Sequence, residues 1–202
     1  MKKAMTISYE IGDSLYLNIT NKCPCACTFC IRQNDDGAYG SDPLWLEHQP
    51  SLDEIKQNLS QRRLSHYSEI IFCGYGEPTT ELELLKQTAK FIRSECQTPI
   101  RLNTNGLSDL INKRSTAGDL EGLIDTVSIS LNAPTEAEYN AVTRPSLEGS
   151  FDAMLKFASE VKNYVPHTAF TVVDVIGEEK IAQSEALADS IGIHLRVRKY
   201  IS

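Results

Sequence analysis

Short apolar runs rich in β-branched residues alternate along this chain with stretches of helical periodicity. The runs are ISYEI at 7–11, LYLNIT at 15–20, EIIFC at 69–73, IRLNT at 100–104, TVSISLN at 126–132, AFTVVDVI at 169–176 and IHLRVRKY at 193–200. The first two flank Gly12-Asp13-Ser14 and predict a hairpin. A capping box at Ser51-x-x-Glu54 opens a helix running to about 65. A second box at Thr80-x-x-Glu83 opens another, and a weaker helix is expected over 108–123. Thr135-x-x-Glu138 starts a short helix before Pro145, and longer ones cover 150–163 and 178–190, the last stopped by Gly192. Such alternation builds βα units around a parallel sheet. An eight-unit barrel takes about 250 residues, and this chain has 202. The expected fold is therefore α/β, a partial (β/α)6 TIM-like barrel that is splayed open, with a short N-terminal hairpin, forming one domain over 1–202.

Successive side chains on a strand point to opposite faces. Over 126–132, Val127, Ile129 and Leu131 share one face, and Ser128, Ser130 and Asn132 the other. Arg101, Asn103 and Asn105 share a face, as do Tyr16, Asn18 and Thr20. Asp174 falls with Phe170 and Val172, and His194 with Arg196 and Arg198. A closed barrel fills its interior with branched apolar side chains, whereas most of these strands carry one polar face. With helices over the apolar faces, the polar ones line an open lumen that holds a ligand. The alternative, an open sheet with one solvated side, fits a parallel sheet poorly, because such sheets are covered on both faces.

The net charge of −7 disfavours bulk nucleic-acid binding, which rests on Lys and Arg contacts to phosphate. No run reaches the ~18 apolar residues of a membrane span, and MKKAMTISYEIGD lacks the apolar core of a secretion signal. A cytoplasmic protein is expected. In that reducing compartment, clustered cysteines bind metal or do redox work more often than they form disulfides. Four of the six lie within eight residues: Cys23, Cys25, Cys27 and Cys30. The spacing Cys23-x3-Cys27-x2-Cys30 supplies three soft thiolates from one loop, which suit iron–sulfur clusters and zinc. An ordinary [4Fe–4S] cluster takes four cysteines, so three leave one iron open.

This spacing, directly after the strand at 15–20, resembles the signature of the radical SAM superfamily, and the resemblance extends along nearly the whole chain. Gly74-Tyr75-Gly76-Glu77-Pro78 is similar to that superfamily's Gly-Gly-Glu-Pro motif, with a tyrosine inserted. Asn103-Thr104-Asn105-Gly106, Ser128-Ile129-Ser130-Leu131-Asn132-Ala133-Pro134 and Val173-Asp174-Val175-Ile176-Gly177 resemble its motifs on the next three strands. The short length, LYLNITNKCPCACTFCIRQ and FCGYGEPT together look most like the small radical SAM proteins associated with TatD-type hydrolases.

The resemblance implies a [4Fe–4S] cluster on Cys23, Cys27 and Cys30, with S-adenosylmethionine on the open iron through its amino and carboxylate groups. One electron would cleave the sulfonium C–S bond to methionine and a 5′-deoxyadenosyl radical, which abstracts hydrogen from a substrate; the protein positions the cofactors. An electron donor such as flavodoxin or ferredoxin is implied as well. Carried over by motif, the backbone of Gly74, Tyr75 and Gly76, held by Glu77 and Pro78, accepts from the methionyl ammonium. Asn105 joins the cofactor site, and Ser130 and Asn132 reach the carboxylate or ribose hydroxyls. Phe29 flanks the adenine and Ile176 walls it.

Other residues keep two readings. Cys25 is a bystander inside the x3 gap, or a fourth ligand that saturates the cluster or makes a zinc knuckle. Cys73 is a small packing residue or a thiol of the site, and Cys96 is inert at a helix end. Asp174, at a strand end, belongs to the site or pairs with an arginine. Arg198, with Arg196 and His194, binds an anionic substrate group or decorates an edge strand. Trp45 pins the 31–50 loop, whose position suits a lid, while His48, His66 and His167 are surface residues. The final strand leaves an exposed edge, and unpaired edges invite association; a homodimer mate, a partner chain or the substrate is expected to cover it. The substrate is a small molecule or a protein, the latter as in glycyl-radical activating enzymes. From other classes, a zinc-knuckle module or a simple Fe–S electron carrier uses the cysteines but needs neither the Gly-Tyr-Gly-Glu-Pro loop nor the polar strand faces.

Overall fold

The computed structural model describes residues 2–199. At Gly12 the chain turns with φ of 61°, a conformation open to glycine because it has no Cβ. The turn joins β1 (Ser8–Ile11) to β2 (Ser14–Leu17) antiparallel, with Tyr9 opposite Tyr16. From β2 onward each pairing is parallel. β3 (Glu69–Phe72), β4 (Ile100–Thr104), β5 (Thr126–Ser130), β6 (His167–Val173) and β7 (His194–Arg198) follow in chain order across one seven-stranded sheet. The sheet stays open: among the described residues β1 pairs only with β2, and β7 only with β6. Six parallel strands with an antiparallel hairpin on one edge is the expected partial-barrel architecture.

The helices α1 (Leu52–Ser60), α2 (Leu82–Glu95), α3 (Ser108–Asn112), α4 (Glu136–Thr143), α5 (Ser150–Val161) and α6 (Glu178–Ile191) lie in the crossovers. Register aligns Leu17, Phe72, Leu102 and Val127 in one row, with Ile129 and Phe170 in the next. These side chains are fully buried, in one cluster with Ile55 and Leu59 of α1, Leu85 and Ile92 of α2, and Met154 and Phe157 of α5. Each contributes roughly 1.5–3 kcal/mol by leaving water. The opposite face carries Ile71 and Arg101 in register, then Asn103 and Ser128, then Ser130, Thr171 and Arg196. Residues one apart in register face opposite ways, so helices cover the apolar rows and the polar rows line the lumen.

Several local expectations are corrected. The box at Thr80 does not cap α2. Glu77 takes the amide of Thr79, and Pro78 starts a 3-10 turn over Pro78–Glu81 that delays the α-helix to Leu82. The weak helix over 108–123 is two pieces. α3 stops at Asn112 and Lys113 turns left-handed (φ 55°). The Asp109 carboxylate then accepts the Thr116 amide at 2.8 Å and redirects the chain into a 3-10 turn at Ala117–Leu120. β5 ends at Ser130, before Leu131 and Asn132, because Asn132 takes a φ of 65°. β6 ends at Val173, and Asp174–Ile176 form a 3-10 turn, so Asp174 lies past the strand, off the face shared by Phe170 and Val172. By contrast, Ser51 and Glu54 make both reciprocal bonds of a capping box, and Gly192 closes α6 with φ of 72°. Of the last predicted strand, Tyr200 lies outside the described residues. No helix among the described residues is long and apolar enough to cross a membrane.

Candidate functional site

The cysteine loop lies against the C-terminal end of α4. Ala26 donates its amide to Thr143, Thr28 to Val142 and Ser146 to Pro24, while Cys25 bridges to Pro145. Cys25 is buried beneath the loop; Cys23, Cys27 and Cys30 are half-buried, and all are free thiols. Hydrogen bonds with Cys23 and Cys27 keep the proton on Cys25, and the Cys25 thiol draws Cys23 down to about 7 and Cys27 below its ordinary value, while burial opposes both shifts. Thiolates are the form that binds metal. Arg32, passed over in the sequence, donates its Nε to Cys30 Sγ at 3.3 Å and its Nη2 to the Cys25 carbonyl at 3.3 Å. Its place two residues beyond Cys30 was the available signal. Among the described residues no three His, Cys, Asp or Glu side chains stand close enough together to hold a single ion. The fit to an iron–sulfur cluster rests on the donors themselves, three half-buried thiols on one short loop.

The loop after β3 is fastened by one carboxylate. Glu77, 3% exposed, accepts from the Thr79 amide at 3.1 Å, the Thr79 hydroxyl at 2.8 Å, the Thr104 hydroxyl at 2.8 Å and the Asn105 amide at 2.7 Å. Burial pushes its carboxyl up, and these four donors pull against that rise. The end of β3 is thereby tied to the end of β4. Gly74 and Gly76 are glycines because this loop crosses the continuation of β2. A Cβ at Gly74 would strike Asn18, and one at Gly76 would strike the Thr20 and Lys22 carbonyl oxygens. Asn18 is itself fully buried, donates to the Thr6 and Leu44 carbonyls, and accepts the Tyr75 amide at 3.2 Å.

Tyr75 turns its ring toward the β1–β2 hairpin and the 31–46 segment. It joins a small cluster with Tyr9, Ala38 and Leu44, meets Trp45 edge-on at 5.2 Å, and donates its hydroxyl to the Asp35 and Gly37 carbonyls. Its side chain holds the 31–46 segment, leaving only its backbone beside the glycines. Trp45 pins the same segment, as expected, with Arg32 over its ring.

The remaining predicted residues gather at the C-terminal ends of the parallel strands, the end where αβ-barrel sites sit. Asn105 uses its Oδ1 to accept the Leu107 amide and its Nδ2 to reach Cys25 Sγ at 3.7 Å, so it joins the cysteine loop to β4. Ser130 is half-buried opposite Thr171. Asn132 is buried, and its Oδ1 has no hydrogen-bond partner in the protein; the same is true of Asn103 Oδ1 and Arg101 Nε on the lumen face. Phe29 and Ile176 are half-buried at opposite ends of this set, Ile176 against the main core. Cys73 faces the lumen beside Asn103; burial pushes its thiol up and the Asn103 side chain pulls it down. Asp174 is exposed on the turn beyond β6. Arg198 is exposed on β7, in register with Val173. His48, His66 and His167 are at the surface, as expected.

Comparison with solved structures places this fold. Native anSMEcpe with bound AdoMet superposes with a TM-score of 0.64 at 18% identity, over 93% of this chain and 51% of that one. SuiB of Streptococcus suis bound to its precursor peptide SuiA gives 0.69 at 18% identity, over 94% and 39%. Methylornithine synthase (PylB) gives 0.58 at 13% identity, over 93% and 53%. The chain thus spans about half the length of these structures or less. No curated protein matches it in sequence. The family model described as the radical SAM superfamily matches residues 17–189; a [4Fe–4S] cluster and S-adenosylmethionine are the cofactors of that superfamily. Because the match takes in most of the chain, from the end of β2 and its cysteine loop into α6, the chain belongs to the radical SAM superfamily.

Proposed function

We propose that this chain is the core of a radical S-adenosylmethionine enzyme, with Cys23, Cys27 and Cys30 as cluster ligands. When bound, the cluster and S-adenosylmethionine supply an electron and a 5′-deoxyadenosyl radical that takes a hydrogen atom from substrate. The protein's own work is to hold, orient and exclude water. Depressed thiol pKa values at Cys23 and Cys27 favour the ligating form, and Arg32 beside Cys30 adds positive charge next to the thiols. The backbone at Gly74–Gly76 is a fixed set of carbonyl acceptors for the methionyl ammonium. Asn132 Oδ1, buried without a partner, is an acceptor for a ribose hydroxyl. Phe29 and Ile176 offer apolar surface to the base.

The observation that carries this reading is the Glu77 junction. A single buried carboxylate joins the glycine loop, the end of β4 and, through Asn105, the cysteine loop. A zinc knuckle or an electron carrier has no use for that connection. We include in the proposal the narrower kinship with TatD-associated proteins, an electron donor of the flavodoxin or ferredoxin kind, and a mate on the open edge of β7. The test is anaerobic reconstitution with iron and sulfide, then S-adenosylmethionine and dithionite. A brown protein forming 5′-deoxyadenosine, with none from Cys27→Ala, supports the reading. A colourless protein carrying stoichiometric zinc overturns it, as does a brown protein that forms no 5′-deoxyadenosine above that control.

A further inference from the structure

Three arginines stand on the lumen face between the central strand and the β7 edge. Arg101 of β4 and Arg196 and Arg198 of β7 share the lumen face by register and alternation. Arg196 reaches across β6 to Ser128 of β5, its Nη2 3.5 Å from Ser128 Oγ. Only one of the three guanidinium groups is neutralised there: Arg101 Nη2 pairs with Glu69 Oε1 at 2.9 Å. Among the described residues Arg196 and Arg198 form no ion pair. Arg101 keeps its Nε buried and without an acceptor, and Asn103 Oδ1 nearby is buried without a donor.

Arg196 and Arg198 are exposed to solvent at this face, and like charges set two residues apart on one strand face repel each other, a repulsion that a bound anion relieves. Partial burial, then the charges of Arg101 and Arg198, hold the Arg196 guanidinium below its ordinary value. A guanidinium fork matches the two oxygens of a carboxylate or phosphate, where a lysine offers only a point charge. The chain as a whole is acidic, with a net charge of −7, so this concentration of positive charge opposes the overall balance.

We propose that Arg196 and Arg198 bind an oxyanion, carboxylate or phosphate, on the substrate and seat it against the β7 side of the lumen. The proposal rests on the enzymatic reading above and names the substrate class for it. Asn103 Oδ1, on the same face, accepts a hydrogen bond from a donor group on that substrate.

The test is calorimetric titration of the anaerobically reconstituted protein with inorganic phosphate and, separately, with succinate. Saturable binding of either probe is expected, and the one that binds identifies the oxyanion. Arg196→Gln and Arg198→Gln should each weaken it by about tenfold or more, the loss expected for one charge-assisted hydrogen bond. Arg196→Lys should recover part of the loss. Unchanged melting temperatures confirm that the variants fold, and S-adenosylmethionine affinity should stay within about twofold of the unsubstituted protein. The proposal is overturned by failure of both probes to bind, by affinities that ignore the substitutions, or by a parallel fall in S-adenosylmethionine affinity, which assigns the arginines to that cofactor's carboxylate. Absence of 5′-deoxyadenosine from the unsubstituted protein counts against the enzymatic reading alone, since the titration does not depend on turnover.

Discussion

Replacing Glu77 tests whether one carboxylate holds the strand ends together. In Glu77→Ala four donors lose their acceptor: the amides of Thr79 and Asn105 and the hydroxyls of Thr79 and Thr104. The hydroxyls can rotate toward other acceptors, but the amides, that of Thr79 buried and that of Asn105 part-buried, cannot. A buried donor left unsatisfied costs about 1–3 kcal/mol, so the amides alone give roughly 2–6 kcal/mol. Removing a buried charge returns part of this, because burial already pushes the Glu77 carboxyl up. A net loss of about 3 kcal/mol is expected. Glu77→Gln keeps one acceptor oxygen for three donors but turns its NH2 toward the Asn105 amide. One orphan amide puts that variant at about 1–2 kcal/mol. With an m-value near 3 kcal/mol/M, urea melts should move by about 1 M for Ala and about half that for Gln. Equal shifts for the two variants, or losses below about 0.5 kcal/mol, would refute the argument that unsatisfied amides set the cost.

Other expectations are simpler to state. Gly76→Ala drives a Cβ toward two backbone carbonyls that have no room to retreat, one of them Lys22 O at 2.8 Å, and should cost about 2 kcal/mol in chemical denaturation. Tyr75→Phe loses the bonds to Asp35 and Gly37 and should speed proteolytic cleavage within 31–46 while costing only about 1 kcal/mol globally. For Glu54, the Ser51 amide first, then His48 and the Ser51 hydroxyl, lower the folded pKa to about 2. A depressed carboxylate contributes stability above its unfolded pKa and loses it as pH falls through the folded one. Melting temperatures of the unsubstituted protein and of Glu54→Gln should therefore converge between about pH 4.5 and pH 2. A gap that persists at pH 2 would place the effect elsewhere.

Local chemistry was readable from the sequence wherever partners lie within a few positions. Ser51 and Glu54 needed nothing from the rest of the chain, and Gly192 only its own φ. Thr80 and Glu83 carry the same pattern, yet Glu77 and Pro78, just upstream, captured the helix start. The alternation of Ser128 and Ser130 gives the lumen face directly, because strand periodicity is local, whereas Asn132 lies past the strand end. What stayed hidden was long-range. Nothing in Gly-Tyr-Gly-Glu-Pro shows that the tyrosine ring leaves to hold residues 35–37, or that its glycines make room for Asn18. The family resemblance placed Tyr75 and Asn105 in a cofactor site; the structure shows that both side chains also brace the surrounding loops. Counting on by twos puts Asp174 on a strand face, and the early end of β6 breaks the count.

Asn18 gives the 31–46 segment a kinetic handle. Its carboxamide accepts the Tyr75 amide while donating to the Leu44 carbonyl, and the side chain is fully buried. Asn21 donates to the same Leu44 carbonyl at 2.9 Å, so two side chains hold that point of the segment. The amide proton of Tyr75 exchanges with solvent only when its bond to Asn18 opens, and its exchange rate measures how often this junction lifts. Because the anchoring bonds form on folding, the ordering entropy of the segment is already spent in the folded protein, so a ligand that touches it need not pay that cost again.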